Sequence, residues 1–176
     1  MMSRIRGFSF SPSSQFAAAR EDTVSDALTY FVPLLAFLGA IIAIAVTGVV
    51  IMAELPVVSA PLLGVGTFAG IIIAGVFGAM YISVWLHIWV YLLGGRNGFK
   101  QTLKAITYGA TPCLVLGWLP GPNIIIAPIW SLLLVINGLA ELHEMSPGMA
   151  ILSVVLAILA PLVIAGAAAA VIVSFL

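Results

Sequence analysis

Charge is what this sequence has least of. Six Lys/Arg and six Asp/Glu make up 7% of 176 residues, against about a quarter in a soluble domain. So few charges cannot wet the surface of a chain that is 63% hydrophobic, with a mean hydropathy of +1.27, and a soluble globular fold is excluded. Net charge is zero, so the basic excess of a nucleic-acid binder is missing and no nucleic-acid partner is expected. Cys113 is the only cysteine, which rules out an internal disulfide. No short apolar core with an A-x-A-like site opens the chain, so a cleaved signal peptide is not expected. The stretch GGRNGFKQTLKAITYGATP (Gly94–Pro112) has Lys100 after Phe99 and no Gly-Lys-Ser/Thr. It also follows an apolar run instead of a buried strand, so it does not cradle phosphate. No His-Glu-x-x-His string is present, and the serines have no His/Asp partners in a recognisable arrangement. An enzyme is not expected, nor is a cofactor.

What is present is a series of apolar runs, and roughly 20 such residues cross a bilayer core. The expected spans are about 30–53, 62–93, 105–119, 124–140 and 149–175. The first ends at Glu54 and Pro56, and the Gly94–Gly95 pair stops the second. The third and fourth are marginal alone; they read together as a helical hairpin around Leu119-Pro120-Gly121-Pro122-Asn123, in preference to a re-entrant loop. Residues 1–29 form a tail in which Phe8, Phe10 and Phe16 allow an interfacial, amphipathic placement. Residues 30–176 form the membrane domain. The fold expected is all-α and polytopic with five transmembrane helices. Five spans put all six basic residues (Arg4, Arg6, Arg20, Arg96, Lys100 and Lys104) on one side. By the positive-inside rule that side is the cytoplasm, which leaves the C-terminus outside.

The polar residues supply the candidate sites. Arg96, Lys100 and Lys104 follow the second span on a short basic helix and are the expected contacts for anionic headgroups or a partner. Gly66, Gly70, Ala74 and Gly78 recur every four residues, a row that lets helix backbones approach. Packing inside the monomer is the favoured reading of that row, with a homo-oligomer seam as the alternative. Tyr81, Trp85, Trp89 and Tyr91 read as an interfacial anchor. His87 with Glu141, His143 and Glu144 is a candidate polar, proton or metal site. The blander reading pairs these groups with the basic loop of Arg96, Lys100 and Lys104. Asn137 is a deeply placed amide for which Thr107 and Thr111 are expected partners.

Several local strings resemble the Yip1 domain family. Ser11-Pro12-Ser13-Ser14-Gln15-Phe16 leads through Arg20-Glu21-Asp22 into the first span. Tyr108-Gly109-Ala110-Thr111-Pro112 resembles the Tyr-Gly-x-x-x-Pro-like segment of the family's third span, shortened by one residue. Ile129-Trp130-Ser131-Leu132 and Gly138-Leu139 resemble the fourth span and the turn after it. The eukaryotic members are Golgi and endoplasmic-reticulum proteins that associate with prenylated Rab GTPases and with one another. This chain lacks their long N-region and its Asp-Leu-Tyr-Gly-Pro-Phe-Trp-like motif, and it looks more like the short archaeal and bacterial forms. The resemblance implies a non-enzymatic membrane-organising or adaptor module, in the cell membrane if the source is a prokaryote. The alternative is a small oligomeric channel or carrier for an ion or solute, with Asn137, His87 and Glu141 near its path.

Overall fold

A computed structural model describes residues 1–53 and 60–175, and among these it contains helices and no strand. In chain order they are α1 (Met2–Phe10), α2 (Pro12–Ala18), a 3-10 turn (Ala19–Glu21), α3 (Val24–Met52) and α4 (Ala60–Leu92). Then follow α5 (Phe99–Gly109), α6 (Thr111–Leu116), α7 (Ile126–His143) and α8 (Pro147–Ser174). Four of them, α3, α4, α7 and α8, are long and apolar enough to cross a membrane.

Helix boundaries follow local chemistry. α3 starts six residues before the expected Tyr30 because Thr23 and Asp26 form a capping box. The Thr23 hydroxyl accepts from the Asp26 amide at 3.2 Å, and the Asp26 carboxylate accepts from the Thr23 amide at 2.8 Å. The expected stop at Glu54 and Pro56 lies outside the described residues. Ser146 caps α8 in the same manner, accepting from the Met149 amide at 3.3 Å.

The expected third span, 105–119, appears as two shorter helices, neither long enough to cross a bilayer alone. Pro112 is the cause, since it brings no amide hydrogen to the Tyr108 carbonyl four residues earlier. The Thr111 hydroxyl donates to that carbonyl instead, at 2.5 Å. Beyond the break, the Cys113 amide in the first turn of α6 is taken by the Ser131 hydroxyl of α7 at 3.1 Å.

Packing relies on close approach at small residues, because lipid offers no hydrophobic drive between helices. α5 and α7 run antiparallel, with Ala105 opposite Gly138 and Gly109 opposite Val135. A Cβ on Gly109 would stand 2.6 Å from a Val135 methyl and 3.0 Å from its amide nitrogen. α3 and α4 are antiparallel as well: Gly75 lies against Leu35 and Gly64 against Thr47. α8 packs on the bundle through its first half, at Ala150, Ser153, Val154 and Ala157. From Pro161 to Phe175 every residue is exposed.

One contact shows how a proline is tolerated in α8. Pro161 leaves the Ala157 carbonyl without its helical donor. The Trp85 indole of α4 donates to that carbonyl at 2.8 Å. Trp85→Phe should therefore cost about 0.6–1.7 kcal/mol. In a Pro161→Ala background, where the helix supplies its own donor, the same change should cost clearly less. Thermal unfolding of the four proteins in one detergent measures the difference.

Candidate functional site

The buried side chains concentrate at the end of the bundle where the N-terminal helices, α5 and the close of α7 meet. Phe8, Phe16, Tyr30, Tyr108, Leu139 and Leu142 are all buried there. α1 and α2 fold back against this end. Phe8 stacks on Tyr108 with ring centroids 4.4 Å apart, and Phe16 packs where Gly138 leaves room. A Cβ on Gly138 would meet the Phe16 ring at 2.8 Å.

Two polar groups tie this arm down. Asp22, between the 3-10 turn and α3, accepts from the Tyr108 hydroxyl at 2.5 Å and forms an ion pair with Arg4. Burial alone would lower the Arg4 pKa; the hydrogen bond to Asp22 and the fields of Tyr108 and Asp22 outweigh it, so the value is raised. Lys104 sits beside them and is 2% exposed. Its ammonium donates to the carbonyls of Ala19, Arg20 and Asp22 at 2.9, 2.8 and 3.0 Å. They lie at the end of the 3-10 turn, where the Ala19 carbonyl also takes the Asp22 amide at 3.2 Å. The expected headgroup role of Lys104 is corrected accordingly: its three donors are used inside the protein. Arg96 and Lys100 do lie exposed, and the Arg96 guanidinium rests over the Tyr91 ring at 4.0 Å.

A second cluster joins α4, α5 and α7. The Thr102 hydroxyl lies 2.8 Å from His87 Nδ1 and 2.9 Å from His143 Nε2. Its single hydrogen serves one imidazole while its oxygen accepts from the other. His143 Nδ1 is buried without a partner, and Gly95 packs close to it. A lone pair is better tolerated there than an orphaned N–H. Hydrogen-bond accounting thus places the His143 proton on Nε2, donating to Thr102, and the Thr102 hydroxyl donates to His87. Among the described residues no group of three or more His, Cys, Asp or Glu is placed to hold a metal ion. The cluster acts as polar glue between three helices.

The remaining expected sites are placed differently from the sequence reading. Glu141 and Glu144 do not pair with the basic loop. They face Arg20 of the N-terminal arm instead, at 3.7 and 2.7 Å, in a pairing that stays open to solvent. Asn137 accepts from the Ser13 hydroxyl at 3.1 Å instead of meeting Thr107 or Thr111. Thr107 donates to the Leu103 and Lys104 carbonyls of its own helix, and Thr111 is bonded to Tyr108 and Tyr30. The Gly66, Gly70, Ala74 and Gly78 row turns away from the bundle. Around Gly66, Gly70 and Gly78 nothing lies within 4 Å of an added Cβ. The inward face of α4 is one residue away, at Gly75, Ala79, Ser83, Leu86 and Val90.

Thr102 was not singled out by sequence reasoning; Arg4 was read only for its charge and Asp22 only as part of a motif. Tyr108 gave a signal only as part of a motif, and nothing local announces its partner 86 residues away. Two outcomes are expected from this geometry. Thr102→Val removes both imidazole contacts and should destabilise the protein by about 1–3 kcal/mol, while Thr102→Ser stays near wild type, read by thermal unfolding. Lys104→Met removes the ammonium donor from the Arg20 and Asp22 carbonyls at a similar cost. Limited proteolysis should then cut within residues 1–22 faster than in the wild type.

Comparison with known proteins agrees with this architecture. The family model described as the Yip1 domain matches residues 6–170, from inside α1 to the outer part of α8. Neither the curated proteins nor the solved structures contain a match. A match over nearly the whole chain, on four apolar helices of spanning length, makes this a membrane protein that belongs to the Yip1 domain family.

Proposed function

We propose that this protein is a non-enzymatic membrane-organising or adaptor module, embedded by five crossings with its N-terminal side in the cytoplasm. The third crossing is the α5–α6 pair, whose 18 residues from Phe99 to Leu116 reach about 27 Å at 1.5 Å per residue. Support for the orientation comes from the bonds at one end of the bundle. Arg20 meets Glu144, Lys104 meets Asp22, and Asn97 donates to the Leu142 carbonyl at 3.0 Å. The tail, the loop after α4 and the loop after α7 therefore gather together, and all six basic residues come with them. In a prokaryote the host membrane is the cell membrane.

The observation that carries the reading is the exposed pair Arg96 and Lys100 on a rigid, densely bonded end. Neither has a carboxylate within ion-pair distance among the described residues. Such cations suit anionic headgroups or an acidic partner surface. The carrier alternative draws on proline-broken helices as sites for a solute. Here the carbonyls freed at Ala157 and Tyr108 are already taken by Trp85 and Thr111. A cavity of about 460 Å³ between the spans is lined by Trp85, Ile106, Val135 and Ile158 and is almost wholly apolar. That lining offers an ion nothing in exchange for its water.

Arg96→Gln with Lys100→Gln should lower retained phosphatidylglycerol in native mass spectrometry several-fold without changing thermal stability. Equal retention would remove the proposed surface, and proton or solute flux in reconstituted vesicles would favour the carrier. For the orientation, single cysteines are placed at Lys100 and Pro120 in a Cys113→Ala background. An impermeant thiol reagent applied to intact cells should label the Pro120 position and spare the Lys100 position.

A further inference from the structure

We infer that α1 is a membrane-surface helix whose outer face, Met2, Arg6 and Phe10, sits on anionic phospholipid headgroups of the bilayer that the protein spans. The three residues are four apart and share one stripe of the helix. The opposite side is committed to the protein: Phe8 is buried on Tyr108, Ile5 packs on the core, and Arg4 is paired with Asp22. Outward, Met2 is 79% and Phe10 73% exposed, an apolar display for which the packed arm has no use. Arg6 stands exposed between them with no carboxylate in ion-pair distance among the described residues. With Met2, Ser3, Gly7, Phe10 and Ser11 it lines a groove of about 560 Å³.

Two arguments select a bilayer over another protein. The first is continuity. The Phe10 ring meets Trp130 of α7 edge-on at 5.7 Å, and Ile126, Ile129 and Leu133 on the same helix are exposed. Because α7 is a spanning helix, its exposed apolar surface faces lipid, and Trp130 stands next to that surface. The α1 stripe therefore begins where the lipid surface already is. The second is charge complementarity: one cation flanked by two apolar side chains is the pattern of a helix lying in the interface plane. Ordering the helix is not charged against binding, since its inner face already holds it in place. The inference needs only the bilayer, and stands apart from the orientation and the adaptor role.

The test uses the full-length protein in nanodiscs of phosphatidylcholine, with and without phosphatidylglycerol. A nitroxide on Ser3→Cys, in a Cys113→Ala background, should be relaxed more by oxygen than by a water-soluble nickel complex. Arg6→Gln should reduce retained phosphatidylglycerol by about fivefold, the share of one headgroup-facing cation. It should do so additively with Arg96→Gln/Lys100→Gln, because the surfaces are separate. Relaxation chiefly by the nickel complex overturns the inference. So does retention that Arg6→Gln leaves unchanged. Nitroxide–nitroxide broadening that disappears on dilution with unlabelled protein would overturn it too, by making the occupant of the stripe a second copy of this chain.

Discussion

A lysine ammonium removed from water has to find acceptors, and the placement of Lys104 organises one whole end of this molecule. A buried charge without partners costs several kcal/mol, so the ammonium is stable only where oxygen atoms converge on it. The carbonyls of Ala19, Arg20 and Asp22 converge at the end of the 3-10 turn, where helix-type pairing runs out. The turn can hold that position only if α1 and α2 are docked, which Phe8, Phe16 and the Arg4–Asp22–Tyr108 contacts accomplish. Lysine, turn and arm stand or fall together.

The same logic of leaving no polar group unpaired governs the rest of the bundle. Inside a bilayer there is no water to satisfy a broken helix, so each interruption needs a donor from a neighbour. Trp85 supplies one to α8 and Thr111 one to α5, while Ser131 accepts from the start of α6. These bonds also select which helices are neighbours. Thr102 does the same for α4, α5 and α7 through two imidazoles. The result is a stiff, bonded end from which Arg96, Lys100 and the outer face of α1 project, while α8 beyond Pro161 runs free of the bundle.

The family match begins at Arg6, within α1, so the region shared with other Yip1 domains includes the N-terminal arm as well as the spanning helices. That agrees with the packing. Phe16 fills the space left by Gly138, and Arg20 neutralises Glu141 and Glu144 at the close of α7. The arm behaves as a component of the bundle end rather than as an appendage to it.

By itself the sequence determined the solvent of this protein and its apolar rods. The runs at 30–53 and 149–175 are legible because hydrophobicity and length are local properties that add up along the chain. The gathering of Arg4, Arg6, Arg20, Arg96, Lys100 and Lys104 was legible for the same reason. Only the tertiary structure decided which polar residue meets which. Lys104 and Lys100 are indistinguishable by type and neighbourhood, yet one is buried under the arm and the other exposed. The row Gly66–Gly78 and the row Gly75–Val90 lie side by side on α4, and the choice of inward face rests on Leu35 and the helices beyond it. His87, Thr102 and His143 come from three helices, and Asp22 reaches Tyr108 across 86 residues. Such pairings depend on the rotation of each helix about its axis, which is set by the sum of all contacts. In an all-apolar helix no amphipathic stripe marks that rotation in advance.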